Sequence, residues 1–512
     1  MKEHYDVVIV GSGLGGLVSA IILAKEGYSV CVLEKNQQYG GNLQTFVRDK
    51  TIFDTGVHYI GGLDEGQNLH TYFSYIGIMD HLKLKRLDVD GFDVVTFDNY
   101  EGEFPYAQGY DNFREKLIEK FPSEKDAIVT YCNKMIEVCQ KFPLYSVKKG
   151  NPYDIEIFQE SAKGFIDSLT NNSKLKGVLA GTNYLYAGYK EDTPLYVHAL
   201  SVNSYIESAY RCVNGGSQIT KQLIKQLKKH GGEAYKNQKV TEFSSENGKV
   251  TQVVCADGKV IRGDKFISNI EPKLTLQMLG EDSPLKKAYV NRINTIENTI
   301  APFSLYVVFK ENSFKYYNHN FYHFRDVEKM WDSQDYTQET WPEGYMVSFG
   351  VGQNTSDFAE CLTVMTYMRW DEVEGWSDTF NTVKEKNERG ESYEAFKKAK
   401  AEKLIDELEK KFPNIRDCIE SYYTSTPLSY RDYIGSHNGS MYGYVKDVNK
   451  PLQSIVSPKT KVKNLYFTGQ SLNMHGILGV TIGGVITCSE ILGMDYLVDK
   501  INKETKVSET IK

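Results

Sequence analysis

The sequence predicts an α/β fold in which a parallel sheet of the dinucleotide-binding type is assembled from discontinuous segments around an inserted α+β unit. Three observations predict it. A strand, a glycine turn and a helix open the chain at 5–24, and a second set returns at 464–493. The intervening residues mix helical stretches with alternating, strand-like runs. At roughly 150 residues per domain, 512 residues suggest about three units or two large ones.

Tyr5 to Val10 is a β-branched run that ends at Gly11, and Leu14 to Ala24 carries apolar residues at helical spacing before Gly27. A second strand, Tyr28 to Leu33, ends in Glu34. Gly11, Gly13 and Gly16 therefore stand where the Rossmann-like fingerprint needs a tight turn, a backbone close to a pyrophosphate and a helix close to its strand. The helix amino terminus offers free N–H groups to phosphates, and Glu34 is suited to accept from ribose hydroxyls. Glycines in such a turn can also serve packing alone, but here strand, helix and terminal acid occur together. Between NAD and FAD, two features favour FAD: Gly40-Gly41 just after Glu34, and the run from Phe53 through Asp54, Thr55 and Gly56 to Gly62, which a nicotinamide fingerprint does not require.

Residues 113–142 read as two helices. Phe113, Leu117, Ile118 and Phe121 form the stripe of the first, Pro122 stops it, and Ser123 with Asp126 is expected to cap the second. The chain then looks mostly helical to about 210, and Asn214-Gly215-Gly216-Ser217 precedes a helix that stops at Gly231-Gly232. Lys239 to Phe243, Lys249 to Cys255 and Lys259 to Asn269 alternate around Asn247-Gly248 and Asp257-Gly258, which predicts an antiparallel meander. Residues 301–309 and 361–369 read as strands of a second sheet. Asn464 to Phe467 is strand-like, Thr468-Gly469-Gln470-Ser471 turns, and Gly476 to Gly484 begins a helix that ends near Gly493.

Hydrophobic residues make up 41% and charged residues 25%, the proportions of a folded globular chain. The net charge of −7, without a basic block, argues against a nucleic-acid partner. The 8 cysteines form no CxxC pair, which fits a reducing compartment. The acidic start is unlike a signal peptide, and no apolar stretch approaches the roughly 20 residues of a spanning helix, so the expectation is a cytoplasmic protein with at most peripheral membrane contact. His319 and His323 lack a third ligand and read as core or surface histidines, with no metal expected. Tyr, at 36, exceeds Phe and Trp combined, and its apolar face with a polar tip suits the wall of a long apolar cavity, although biased residue usage explains the number equally well.

The GSGLGG turn, Glu34, GGN at 40–42, FDTGVHYIG at 53–61, NGGS at 214–217, ISN at 267–269, TPLSYRDYIGSHNGSMYG at 426–443 and LYFTGQ at 465–470 together resemble the phytoene desaturase family of FAD-dependent oxidoreductases, and within it the retinol saturase branch. The resemblance implies a glutathione-reductase-like architecture, with an FAD unit at 1–75, 212–300 and 425–512 and a substrate unit at 76–211 and 301–424. It implies hydride exchange with a double bond of an apolar polyene or isoprenoid, as saturase, desaturase or isomerase, with an unidentified electron donor or acceptor. By motif match, Gly11, Gly13, Gly16, Glu34, the adjacent Lys35, Gly40 and Gly41 would hold the ADP half, with Val240 near adenine. Asp54, Thr55, Gly56, Gly469, Gln470, Ser471, Val480, Thr481 and Ile482 would approach the ribityl chain and ring. Relatives commonly carry an acid where this chain has Ser471, which can still hydrogen-bond a ribityl hydroxyl but without the gain that a charge gives. His58, Tyr59 and His475 are the candidates for a general acid. The alternatives are an amine-oxidase-like or monooxygenase flavoprotein of the same fold and, from another class, a non-catalytic prenyl-binding escort protein.

Overall fold

The strand His4–Val10 lies inside a seven-stranded sheet, flanked by Val30–Leu33 on one side and Val260–Ser268 on the other, both parallel to it. The computed structural model describes residues 1–150, 155–280, 283–352 and 357–511, with the side chains of 507–511 left aside. Beyond Val30–Leu33 the sheet ends in Glu233–Tyr235, also parallel. All four residues of Val30–Leu33 are buried, as expected of a parallel strand covered on both faces.

Val260–Ser268 is the strand on which the sheet turns from parallel to antiparallel. One edge pairs with His4–Val10. The other pairs first with Lys249–Cys255 at residues 260–262 and then with Leu465–Phe467 at residues 266–268. The predicted meander of Val240–Glu246, Lys249–Cys255 and Val260–Ser268 is therefore not a separate small sheet; its last strand runs on into the nucleotide sheet.

The helix Leu14–Lys25 is buried from Leu14 through Ala24, which marks it as packed on all sides. One neighbour is the helix Gly476–Leu492, where a Cβ on Gly484 would come within 2.9 Å of Val18 Cγ1. Both glycine-led helices thus pack together against one sheet.

A second seven-stranded sheet runs in the order Ile419–Ser425, Ala301–Phe309, Cys361–Met368, Gly344–Phe349, Asn320–Phe324, Asp93–Phe97, Phe104–Tyr106. Its pairs are antiparallel except Asp93–Phe97 with Asn320–Phe324. Every residue of its five central strands is buried. One face takes the helix Ser173–Leu179 and its exit, where Gly181 abuts Val95; at the other, Phe412, after the helix Glu391–Lys411, packs its ring 5.4 Å from Phe321. Covering both faces explains why Ala301–Phe309 reads as an unbroken apolar run.

Between the two sheets, Ala209–Cys212 pairs with Ile60–Gly61 and with Leu84–Arg86. This short sheet fixes Tyr59, just before its first strand, and Arg211, within its central strand.

The helices Tyr110–Lys120 and Lys125–Gln140 form as predicted, but the expected cap does not. Pro122–Glu124 makes a 3₁₀ turn, which places Glu124 at the cap position, where its carboxylate accepts from Thr170 and Asn172 and not from the first turn of the helix. All eight cysteines are buried free thiols. No helix among the described residues is long and apolar enough to cross a membrane.

Candidate functional site

A cavity of ≈ 980 Å³ runs from the carboxyl ends of the parallel strands to the second sheet. That is at the upper end of the roughly 300–1,000 Å³ usual for a ligand cleft. Its position follows the rule that open α/β sheets bind ligands beyond the carboxyl ends of their strands.

The glycine turn is built at van der Waals limits. Gly11 has φ +94°, a conformation that side chains rarely adopt, and a Cβ on Gly16 would lie 2.4 Å from the Gly11 carbonyl oxygen. Gly13 forms a parallel bridge with Gly40, and a Cβ on Gly41 would stand 3.2 Å from Gly13 Cα. Glu34 is held from within the chain: Ser12 Oγ and N–H donate to Oε2 at 2.5 and 3.1 Å, and the Asn36 N–H donates to Oε1 at 2.8 Å. A carboxylate has about four acceptor positions, so one remains for a ligand hydroxyl. Lys35 donates to the Asp432 carbonyl at 3.1 Å, and burial lowers the pKa of its amine.

Two helix amino termini open on this cavity. Neither Leu14–Lys25 nor Gly476–Leu492 has a side-chain cap, and Leu14, Gly15, Gly476 and Ile477 all line the wall. Uncapped first turns present N–H groups and the positive end of the helix dipole. Thr468 Oγ1 and Ser436 Oγ, on two further lining residues, are buried without a hydrogen-bond partner among the described residues. Close-packed glycines, an anchored acid, two free helix ends and orphaned hydroxyls fit an extended dinucleotide.

Of the expected cofactor residues, Gly11, Gly13, Glu34, Lys35, Gly40, Gly41, Thr55, Gly56, Val240, Gly469, Gln470, Ser471 and Val480 line the cavity. Gly16 lies behind the wall as a packing residue. Asp54 accepts the Gly216 N–H at 2.6 Å and so secures the turn before the helix Ser217–Lys229; burial pushes its carboxyl up to about 7. Thr481 returns its hydroxyl to the Ile477 carbonyl at 2.7 Å, and neither it nor Ile482 lines the cavity. Asn42 Nδ2 donates to Gln470 Oε1 at 3.3 Å, which ties the turn at 40–42 to the turn at 468–471.

The far end of the cavity is aromatic and sulfur-rich, with Tyr59, Tyr205, Tyr322, Tyr442, Met346 and Met365 in its wall. His58 and Tyr59 both line the cavity, whereas His475 does not. Burial, with the Arg211 charge second, pushes the His58 imidazole down to about 4. His475 stacks on Tyr442 at 4.3 Å with Nε2 3.0 Å from the Leu185 carbonyl, and burial pushes it to about 4 as well. His319 and His323 pair with Asp88 and Asp98, each at 3.1 Å.

Sequence reasoning missed several residues. Asn269, noted in the sequence only as the last residue of the ISN run and given no role there, donates Nδ2 to the Gly11 carbonyl at 3.4 Å and stands 2.8 and 2.9 Å from where a Cβ on Gly13 or Gly15 would lie. Lys446 is half-buried and donates to the Leu472 and Ser454 carbonyls at 2.6 and 2.9 Å; desolvation of its amine pushes it down to about 7. Asp93, Tyr322 and Arg211 meet beside Tyr59 from three strands, and no local pattern announces them.

Residues 9–76 match the family model of the NAD(P)-binding Rossmann-like domain. The chain is 27% identical to the all-trans-retinol 13,14-reductase of Rattus norvegicus, over 98% of this chain and 87% of that protein. It is 23% identical to the chloroplastic prolycopene isomerase 1 of an Oncidium hybrid cultivar, over 97% and 85% respectively. Among solved structures, a triple mutant of putrescine oxidase superposes with a TM-score of 0.64 at 14% identity, covering 96% of this chain and 99% of that one. The chain is therefore an enzyme with the fold of putrescine oxidase, related along nearly its whole length to retinol reductases and prolycopene isomerases, and the resemblance carried by its motifs is borne out.

Proposed function

We propose that this chain binds FAD and acts as an oxidoreductase on a carbon–carbon double bond of an apolar polyene or isoprenoid. The observation that carries the reading is one cavity with two chemistries. Glycine turns, Glu34 and free helix ends build one end, and tyrosines and methionines wall the other. The names of the relatives, a retinol reductase and a prolycopene isomerase, support the substrate class.

In this reading FAD supplies the two-electron hydride chemistry. The chain's residues bind and orient. Glu34 and the backbone at Val240 hold the adenosine, and the first turn of Leu14–Lys25 neutralises the pyrophosphate. Thr55, Gly56, Gln470 and Ser471 border the ribityl chain. The amino terminus of Gly476–Leu492 would favour negative charge on a bound flavin. The tyrosine wall excludes water and aligns the polyene. We assign residues 1–75, 212–300 and 425–512 to the cofactor unit and 76–211 and 301–424 to the substrate unit. We place the protein in the cytoplasm, with at most peripheral membrane contact and an external electron partner.

Purified protein should carry a flavin absorption band and release FAD on denaturation. Anaerobic mixing of the dithionite-reduced protein with retinol or a short carotenoid should reoxidise the flavin and yield a product two hydrogens heavier. Amine turnover with proportionate peroxide would replace this reading with the amine-oxidase one, and a flavin-free protein that binds prenyl groups would replace it with the escort one.

A further inference from the structure

At the aromatic end of the cavity, Tyr59 is joined to two groups of the second sheet. Its hydroxyl lies 2.8 Å from Asp93 Oδ2 and 2.7 Å from the Tyr322 hydroxyl. Asp93 and Tyr322 are fully buried, and Tyr59 is 4% exposed, on the cavity wall. Asp93 and Tyr322 meet because their strands run parallel, with Val95 opposite Tyr322.

The other oxygen of Asp93 is already assigned. Asn320 Nδ2 donates to Oδ1 at 2.8 Å, and Asn320 Oδ1 accepts from the Arg211 guanidinium at 2.8 Å. Arg211 has no acceptor, so the amide of Asn320 can point only one way, with its NH₂ toward Asp93. A proton on Asp93 therefore sits on Oδ2, the oxygen that faces Tyr59.

We propose, resting on the polyene-reducing reading above, that the Tyr59 hydroxyl protonates the substrate carbon, with Asp93 as the proton reservoir behind it and Tyr322 as the residue that positions it. When Asp93 is ionised, the Tyr59 O–H is drawn back to the carboxylate. When Asp93 is neutral, its O–H and that of Tyr322 both donate to the Tyr59 oxygen, and the Tyr59 O–H is released toward the cavity. In saturation, one carbon of the double bond takes a hydride from a reduced flavin dinucleotide. The other takes the Tyr59 proton: the phenol O–H bond breaks, a C–H bond forms, and the electron pair stays on oxygen. The carboxyl proton of Asp93 moves onto that oxygen, and the carboxylate is reprotonated from solvent between turnovers. Two donors aimed at one phenol oxygen are the arrangement that stabilises its developing negative charge.

The surroundings agree. Burial pushes the Asp93 carboxyl up to about 7 against the opposing pull of Asn320, Tyr59 and Arg211. The ionisable groups that face Asp93 are Tyr59, Tyr106, Tyr205 and Tyr322, all held neutral by burial, and Arg211. Asp93 is thus the member of this group that titrates near neutrality.

Two measurements test the relay. Infrared difference spectra of the protein between about pH 5 and 8 should show a carboxylic-acid C=O band that titrates near 7 and vanishes in Asp93→Asn. Single-turnover flavin reoxidation by polyene, per bound flavin, should slow as pH rises through about 7 in the parent. Asp93→Asn should lose that pH step, and Tyr59→Phe should slow about a hundredfold at every pH, both with flavin content intact. A parent that reduces no polyene overturns the functional reading and the relay with it. A parent that turns over, with variants that keep its rate and pH profile or with no titrating carboxyl band, overturns the relay alone.

Discussion

The Ser12 hydroxyl donates to the Glu34 carboxylate at 2.5 Å, so the variable residue inside the glycine turn holds the acid at the end of the next strand. The same hydroxyl accepts the Gly40 N–H at 3.2 Å, which makes Ser12 the meeting point of both glycine clusters.

Ser12→Ala should loosen Glu34 without opening the turn. A hydrogen bond to a charged group is worth about 1.5–3 kcal/mol, so FAD should bind at least about tenfold more weakly. FMN, which lacks the adenosine half, should bind as before. Titration calorimetry with both flavins separates the effects; equal losses would show that the whole turn had collapsed.

Gly13→Ala and Gly16→Ala should fail in different ways. A Cβ at 13 meets the Asn269 amide nitrogen at 2.8 Å, the movable end of a side chain, in the turn proposed to take the pyrophosphate, so flavin occupancy should fall with little change in apoprotein stability. A Cβ at 16 meets backbone at 2.4 Å and should cost about 1–3 kcal/mol of stability as well. Thermal melts of the flavin-stripped variants give the comparison, and identical melts would contradict the separation of binding glycine from packing glycine.

His58 should not be the proton donor. With its imidazole pushed down to about 4, on the order of one molecule in a thousand carries the charged form at pH 7. His58→Gln should keep the single-turnover rate per bound flavin within about tenfold and leave the pH profile where it was. A loss of a hundredfold or more would return His58 to the mechanism.

Asp54 gives a stability prediction. Its carboxyl, raised to about 7 in the fold, has an ordinary value of 3.8, so the folded chain keeps a proton there that the unfolded chain has already lost. The resulting stabilisation is complete below about pH 4, declines as pH rises, and is gone above about 7. The stability of the parent relative to Asp54→Asn should therefore fall between about pH 4 and 7 and level off beyond. Denaturant titrations at about pH 5, 6 and 8 measure this, and a constant difference would mean that the carboxyl is ionised throughout.

The nucleotide half was legible because its signals are local: β-branched runs, glycines at fixed spacing, and an acid at a strand end. Glu34, Gly13 and Gly469 fall on one cavity for that reason. The strands Ala301–Phe309 and Cys361–Met368 were legible from their length and apolar content. What stayed hidden depends on pairing between distant segments. Asp93 lies on a short strand whose partner is residues 320–324, and nothing within 93–97 announces that register. Local cap chemistry also failed at Ser123, because the proline-led 3₁₀ turn moved the helix start onto Glu124.

The strand Val260–Ser268 sets an order of assembly. Its last residues wait for Leu465–Phe467, and the cavity wall needs the turn at 468–471 and the helix that follows. During synthesis, the glycine turn of residues 11–16 is made first but cannot become a closed cradle until residues 465–484 have emerged. Contacts of such sequence separation form slowly. Until then, the half-built sheet presents an unpaired edge at 266–268 while the second sheet is still being made, and that edge is the surface on which the incomplete chain is most exposed to aggregation.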